Sequence, residues 1–189
     1  MRRITVFNNI SLDGYFTGEN DDMSAFHRQH DAEWAEWVSG NASGGAGGTF
    51  LFGRKTYEQM RSFWPTPQAA QQMPVVADSM NRTEKLVVSR TLSDPGWANA
   101  RVIGGDLVDE VTKLKAGAGS DILIMGSGSI VAQLTKARLI DGYTFVIAPF
   151  VMGVGRTMFE GVGSLVDLKR TSERAFANGN IVATYELRS

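Results

Sequence analysis

The chain has 189 residues and a formal net charge of −1; 43% of the residues are hydrophobic and 21% are charged. These values predict one globular domain over residues 1–189, and they argue against a broadly basic surface that would bind nucleic acid. The absence of cysteine excludes disulfides, zinc–thiolate sites and thiol catalysis, and it fits a reducing, cytoplasmic compartment.

The N-terminal part of the chain predicts one strand, one helix and a glycine-rich connector. It lacks the apolar region of a signal peptide, and no apolar run reaches the ~18 residues of a membrane span. Residues 3–10 read as a strand, and a helix is predicted to begin near Asp22 or Ser24 and to end at Gly40, before a mobile connector at 40–48. The side chains at helical spacing are Phe26, His30, Trp34, Trp37 and Val38.

The rest of the chain alternates short apolar strands with helices. The predicted strands lie at 49–52, 85–89, 101–104, 121–125 and 142–148, and a closing hairpin at 166–176 and 181–187 turns at Asn178-Gly179. The predicted helices lie at 54–61, at 68–73 in an otherwise irregular proline-rich segment 62–82, from the cap at Asp106 to Gly117, and across 130–137. This alternation predicts an α/β fold: a mostly parallel mixed sheet, helices on both faces and an antiparallel hairpin at one edge.

A Gly-Ser-Gly turn follows the strand at 121–125. In the run Gly126-Ser127-Gly128-Ser129-Ile130, the glycines allow close backbone approach and the serines offer hydroxyls. The helix that follows presents free N–H groups and a positive end, which is typical of a phosphate site. A plain strand-to-helix turn is the alternative, because Val131 stands where a Rossmann fingerprint has its third glycine.

An earlier turn, Gly53-Arg54-Lys55-Thr56, repeats this design of strand, glycine and helix. Thr56 can offer a hydroxyl and an N–H, and Arg54 or Lys55 can meet phosphate charge. Basic residues in a first helical turn are unfavourable for the macrodipole unless an anion is present, which favours a ligand over a plain basic helix end. Two such turns in one domain predict a bridging diphosphate and hence a dinucleotide.

Ser89 and Arg90 lie just past another predicted strand, where ligands gather in open α/β sheets. An arginine and a hydroxyl at this place suit the 2′-phosphate of NADP. A solvated arginine is the alternative.

Two carboxylates are candidates for the catalytic group. Asp13 follows the first strand and can orient a substrate or hold a proton, although a plain Asp-Gly turn is the alternative. Asp31 shares a helical face with tryptophans, whose apolar surroundings would favour a proton-donating acid; a partly exposed carboxylate is the alternative. The only histidines, His27 and His30, are too few for a metal site, so we expect none.

The motifs occur together in a recognisable order. They are Ser11–Gly14, Phe52–Glu58, Val87–Arg90, Ile124–Ser129 and the glycine-rich run Gly153–Phe159. This set resembles the dihydrofolate reductase-like superfamily. It looks most like the branch of the C-terminal reductase domain of the riboflavin-pathway bifunctional deaminase–reductase, and the resemblance covers nearly the whole chain.

The resemblance implies a three-layer fold with NADPH along the ends of the strands, and a homodimer. Carried over residue by residue, it places Gly53, Arg54 and Thr56 at the cofactor diphosphate, Ser89 and Arg90 at the 2′-phosphate, and Gly126, Ser127, Gly128, Ser129 and Ile130 at the second side of the diphosphate. It places Asp13 near nicotinamide and substrate. Asp31 is the nearest candidate for the carboxylate that engages the pterin ring in dihydrofolate reductase.

These features predict an NADPH-dependent oxidoreductase. Hydride would pass to a C=N or C=O carbon of a small pteridine- or pyrimidine-like substrate, as the resemblance to 5-amino-6-(5-phosphoribosylamino)uracil reductase implies. The proton would come from Asp13, Asp31 or water. A non-catalytic NADP(H)-binding sensor or regulatory module is the alternative, and a nucleic-acid binder is disfavoured by the balanced charge.

Overall fold

The computed structural model describes residues 1–28, 31–44 and 48–188, and a large mixed sheet organises them. The strands are β1 (Ile4–Ser11), β2 (Tyr15–Thr17), β3 (Thr49–Gly53), β4 (Glu84–Val88), β5 (Ala100–Ile103), β6 (Ile122–Met125), β7 (Gly142–Ala148), β8 (Arg156–Thr157), β9 (Leu168–Ala175) and β10 (Ile181–Leu187). Eight of them form one sheet in the order β5-β4-β3-β6-β1-β7-β10-β9, and β2 pairs with β8 separately. The first six strands of that order run parallel, whereas β10 pairs antiparallel with both β7 and β9.

Helices cover both faces of the sheet. They are α1 (Ala32–Gly44), α2 (Arg54–Phe63), α3 (Pro67–Gln72), α4 (Pro74–Arg82), α5 (Leu107–Ala116) and α6 (Gly128–Lys136). On β3, Leu51 packs into a core with side chains of α5 and α6, while its neighbours Phe50 and Phe52 pack with α2 and α4 on the other face. This alternation follows from the two-residue period of a strand. The predicted three-layer α/β architecture is confirmed.

The C-terminal hairpin is also confirmed. β9 and β10 pair antiparallel, and Gly179 adopts a φ of +89° in the turn between them. The Phe176 N–H donates to the Asn180 carbonyl at 2.9 Å, which closes the hairpin. Among the described residues, no helix is long and apolar enough to cross a membrane.

The predicted helix from Asp22 or Ser24 to Gly40 is wrong at both ends. A short 3-10 helix spans Ser24–His27, and α1 begins only at Ala32 because Asp31 accepts the Trp34 N–H at 2.7 Å as its N-cap. Helix α1 continues past Gly40 to Gly44 and includes most of the predicted connector. Residues 45–47 of that connector, and also His30, lie outside the described residues.

The segment 62–82 is more regular than its prolines predicted. Pro67 and Pro74 each begin a helix. The N–H groups of a first helical turn have no acceptor within the helix, so the N–H that proline lacks costs no hydrogen bond there. Thr66 caps α3 by accepting the Ala69 N–H at 3.2 Å. The small β2–β8 sheet was not predicted, since its strands have three and two residues and give no periodic signal.

Candidate functional site

The two predicted turns lie side by side at the carboxyl edge of the sheet. β3 and β6 are parallel neighbours, with Leu51 paired to Ile124, so the turns that follow them emerge together. β4 lies on the other side of β3, and its own end leads directly into Ser89. Strand order therefore gathers segments that are far apart in sequence at one edge, as is usual for ligand sites of open α/β sheets.

Hydrogen bonds join these turns into one unit. The Gly53 N–H donates to Ser127 Oγ at 2.9 Å, and the Ser127 N–H donates to Thr56 Oγ1 at 3.1 Å. Ser127 Oγ in turn donates to the Met125 carbonyl at 3.1 Å. The Ser127 backbone is left-handed, with a φ of +61°, and this turns its own N–H towards α2. The first turns of α2 and α6 are thus fixed relative to each other.

Both of these helices begin without a side-chain cap. Gly53 and Ser127 are the N-caps of α2 and α6, and neither offers a side-chain hydrogen bond to its helix. Neither first turn contains an acidic residue, so no side chain of the first turn offsets the positive end of either helix. Helix α5, in contrast, is capped by Asp106, whose Oδ1 accepts two backbone N–H groups at 2.9 and 3.1 Å, as predicted.

A cavity of about 500 Å³, here called cavity A, lies in front of these helix ends. It is lined by every predicted cofactor residue except Gly126, namely Gly53, Arg54, Thr56, Ser89, Arg90, Ser127, Gly128, Ser129 and Ile130, and also by Lys55, Val88, Thr91, Ile103, Gly104, Gly105, Asp106, Leu107, Gln133 and Arg156. Four of these side chains are cationic and one, the capping Asp106, is acidic. The electrostatics of cavity A therefore favour an anion.

Ser89 and Arg90 lie at the far end of cavity A from α6. Ser89 Oγ accepts the N–H groups of Thr91 at 3.2 Å and Leu92 at 3.0 Å, and this local turn orients the segment. Arg90 is exposed, and the described residues offer it no ion pair. A guanidinium without a protein partner at a cavity rim is available to a phosphate.

A second cavity, cavity B, adjoins the first and has a volume of about 450 Å³. It is lined by Phe7, Asn8, Asn9, Phe16, Thr17, Asn20, Asp21, Met23, Lys55, Thr56, Glu58, Gln59, Met60, Met125, Gly126 and Arg156. The side chains of Lys55, Thr56 and Arg156 line both cavities, so the two spaces meet at the start of α2. Gly126, the remaining predicted cofactor residue, lies on the side of cavity B.

Two residues of this region were missed by the sequence analysis. Asn8 fixes Gly126 from both sides, accepting its N–H at 2.7 Å and donating to its carbonyl at 3.1 Å. Arg156 pairs with Asp21 and lies over the ring of Phe16, with its guanidinium carbon 5.1 Å from the ring centroid. The available signals were an asparagine pair within an apolar strand and an arginine inside a glycine-rich run, and neither reveals its partner.

The candidate catalytic carboxylates lie elsewhere. Asp13 accepts the N–H groups of Met152 at 3.0 Å and Gly153 at 2.8 Å and the Ser11 hydroxyl at 2.6 Å. The Met152 N–H, together with the Ser11 hydroxyl and the Gly153 N–H, lowers the pKa of Asp13 to about 2. Asp13 is therefore ionised at neutral pH.

Asp31 serves as the N-cap of α1, and neither Asp13 nor Asp31 lines cavity A or cavity B. The structure does not bring these two residues together with the cofactor candidates. Within the described ranges, no group of three or more histidine, aspartate or glutamate side chains is placed to hold a metal ion.

The junction of the two turns predicts a stability cost for Ser127→Ala. Removing Oγ leaves the Gly53 N–H without its acceptor, and an unsatisfied buried donor costs about 1–3 kcal/mol of the free energy of unfolding. Urea denaturation measures this loss. Ser129→Ala is the matched control, because the Ser129 side chain is exposed and its loss should change stability by less than about 0.5 kcal/mol. Equal effects of the two substitutions would contradict the role of Ser127.

The contacts of Asp13 predict an unusually acidic titration. The folded-state pKa is depressed, so the contact to the 152–153 backbone is complete above about pH 4 and is lost as the pH falls through about 2. Amide chemical shifts of Met152 and Gly153, followed by NMR, should titrate with a midpoint near 2, and Asp13→Asn should abolish the transition. A midpoint near 4 would show that the carboxylate does not hold these amides.

Comparison with known proteins identifies the family of the chain. The family model of the RibD C-terminal domain matches residues 2–182. The uncharacterized protein YyaP of Bacillus subtilis (strain 168) is 26% identical over 184 residues, which are 97% of this chain and 94% of that protein.

Solved structures show the same fold. A putative riboflavin biosynthesis protein from Shewanella sp. PV-4 superposes with a TM-score of 0.73 at 20% identity, over 99% of both chains. Dihydrofolate reductase from Enterococcus faecalis, solved as a complex with NADP(H), superposes with a TM-score of 0.64 at 14% identity, over 99% of this chain and 97% of that one. The resemblance inferred from the sequence motifs is confirmed, and the chain belongs to the RibD C-terminal domain family.

Proposed function

We propose that this protein is an NADPH-dependent reductase that transfers hydride to a C=N or C=O carbon of a small pteridine- or pyrimidine-like substrate. The observation that carries the proposal is the pair of uncapped helix ends, locked together by Ser127, in front of a cation-lined cavity. Family membership supports it further. In line with the family resemblance, we also propose that the chain forms one domain and acts as a cytoplasmic homodimer.

The residues of cavity A fit a dinucleotide diphosphate. Arg54 and Lys55 stand in the first turn of α2, where positive charge opposes the helix dipole. An anion bound between the N-termini of α2 and α6 would offset that cost and could accept hydrogen bonds from uncapped N–H groups of the first turns. Gly128 also has a packing role, because a Cβ there would lie 2.6 Å from the Phe16 ring.

The end of β4 fits the phosphate that distinguishes NADPH from NADH. Arg90 lines cavity A without an ion pair to the described residues, and Ser89 has a hydroxyl proton left to donate. β4 is adjacent to β3 and two strands from β6, so this group lies about 10 Å along the sheet edge from the Ser127 turn. A second anion site at that separation suits an adenosine 2′-phosphate.

Cavity B is the proposed substrate site. Bound NADPH would supply the hydride, and the protein would supply placement and a polar environment at the junction formed by Lys55, Thr56 and Arg156. Both carboxylates that line cavity B are already in ion pairs: Asp21 pairs with Arg156 and Lys55, and Glu58 pairs with Arg54. We therefore propose water as the proton source, in place of Asp13 or Asp31.

The pairing of both carboxylates that line cavity B also favours one alternative function. A cavity without an unpaired acid among the described residues also suits a protein that binds NADP(H) without turnover, as a sensor or regulatory module. NADPH oxidation, followed at 340 nm against a panel of pterins, pyrimidines and small carbonyl compounds, separates the two functions. Substrate-dependent oxidation supports the reductase, whereas tight NADPH binding with no oxidation across the panel supports the module.

The role of Arg90 predicts a cofactor-selective loss of affinity. Arg90→Ala should weaken NADPH binding by about 1.5–3 kcal/mol, the range for hydrogen bonds to charged groups, and leave NADH binding unchanged. Calorimetric titration with each cofactor measures both affinities. Arg101→Ala is the control, because Arg101 is exposed on β5, pairs with Glu84 and does not line cavity A. Equal losses for NADPH and NADH would remove Arg90 from the 2′-phosphate site.

A further inference from the structure

The two cavities differ sharply in charge. Cavity A is lined by four cations and by one carboxylate, which is engaged as the cap of α5. Among the described residues, three of the four cations are in ion pairs and Arg90 is not, yet the charges that line the cavity still sum to a positive value. Cavity B is lined by two cations and two carboxylates. Asp21 pairs with both of its cations, Lys55 and Arg156, and Glu58 is held by Arg54 at 3.0 Å. The charges that line cavity B therefore sum to zero, so an anionic substrate would meet no excess of positive charge there.

The polar side chains of cavity B that have no partner among the described residues are neutral. Thr17 is only 3% exposed, and its Oγ1 is the one buried side-chain oxygen or nitrogen of the described residues that lacks a hydrogen-bond partner. The amides of Asn9 and Gln59 also line the cavity and make no side-chain hydrogen bond within residues 1–28, 31–44 and 48–188. A buried hydroxyl without a partner is costly, and Thr17 lines cavity B, so a ligand in this cavity is a candidate partner for Oγ1.

The remaining wall of cavity B is apolar. It is formed by Phe7, Phe16, Met23, Met60 and Met125. Aromatic faces and thioethers make favourable contacts with the faces of planar rings, while neutral amides and hydroxyls pair with the polar edge of such a ring. The groups that line cavity B are therefore complementary to a flat heterocycle that has amide-like groups and no net charge.

We infer that cavity B binds an uncharged, planar heterocyclic substrate that has neither a phosphate nor a carboxylate, and that Thr17 Oγ1 forms a hydrogen bond with it. This inference rests on the proposed function, because it assigns the substrate class of the same site. This substrate class differs from that of a reductase whose substrate has a phosphorylated tail. Thr17 is then a specificity-determining residue that the sequence motifs did not reveal.

Two fluorescent pterins test the charge preference. 6-Hydroxymethylpterin and 6-carboxypterin share one ring system and differ in a neutral or an anionic substituent. Each is titrated against the full-length protein saturated with NADP⁺, so that cavity A is filled. We expect 6-hydroxymethylpterin to bind at least tenfold more tightly. Equal or tighter binding of the carboxylate, or no binding of either pterin, overturns the inference.

A separate measurement of cofactor binding distinguishes a failure of this inference from a failure of the proposed function. NADP⁺ binding is measured first by calorimetry on the same protein. If NADP⁺ binds and the pterin preference fails, the substrate class is wrong while the reductase proposal stands. If NADP⁺ itself does not bind, the proposed function fails.

Thr17→Val tests the hydroxyl, with Thr17→Ser as the matched control. Valine keeps the shape and removes Oγ1, so 6-hydroxymethylpterin should bind about fivefold more weakly, whereas serine should stay within about twofold of the original. The urea midpoint of ligand-free Thr17→Val should be no lower than that of the original protein, because an unpaired buried hydroxyl has been removed. Equal pterin affinities of the two variants would show that Oγ1 does not contact the ligand.

Discussion

The hydrogen bonds between the Gly53 and Ser127 turns are the constraint on which the site depends. One serine accepts the Gly53 N–H and directs its own N–H to Thr56, so the first turns of α2 and α6 cannot move independently. Both helices leave their N-termini uncapped at the same cavity. A fixed pair of positive helix ends is a preorganised anion site, because its dipoles are oriented before any ligand arrives.

The small β2–β8 sheet divides the space in front of this edge. It brings Arg156 over Phe16 and next to Asp21, at the boundary between cavities A and B. Asp21 also pairs with Lys55 at 3.3 Å, so a single carboxylate contacts both of the cations that face the two cavities. The charges that line cavity A sum to a positive value and those that line cavity B sum to zero, which matches the charged cofactor and the uncharged substrate that we propose.

The carboxylates that looked catalytic in the sequence have structural contacts instead of places in either cavity. Asp13 ties the loop after β1 to the backbone of Met152 and Gly153, and these hydrogen bonds hold its pKa near 2. Asp31 starts α1 by capping it. A carboxylate that accepts backbone N–H groups is stabilised in its ionised form, so the contacts of Asp13 suit it to fixing a loop.

The sequence by itself determined the features that depend on neighbours along the chain: the apolar strands, the glycine turns after β3 and β6, the Asp106 cap and the Asn178-Gly179 hairpin turn. Family membership also followed, because the ordered motifs are local. Only the tertiary structure decided that Ser127 lies against Gly53, 74 residues away, and that Asp13 holds amides 139 and 140 residues further on. Strand order and loop packing set those contacts. Local sequence patterns do not predict them, because hydrogen-bond partners far apart in sequence are determined by the fold as a whole.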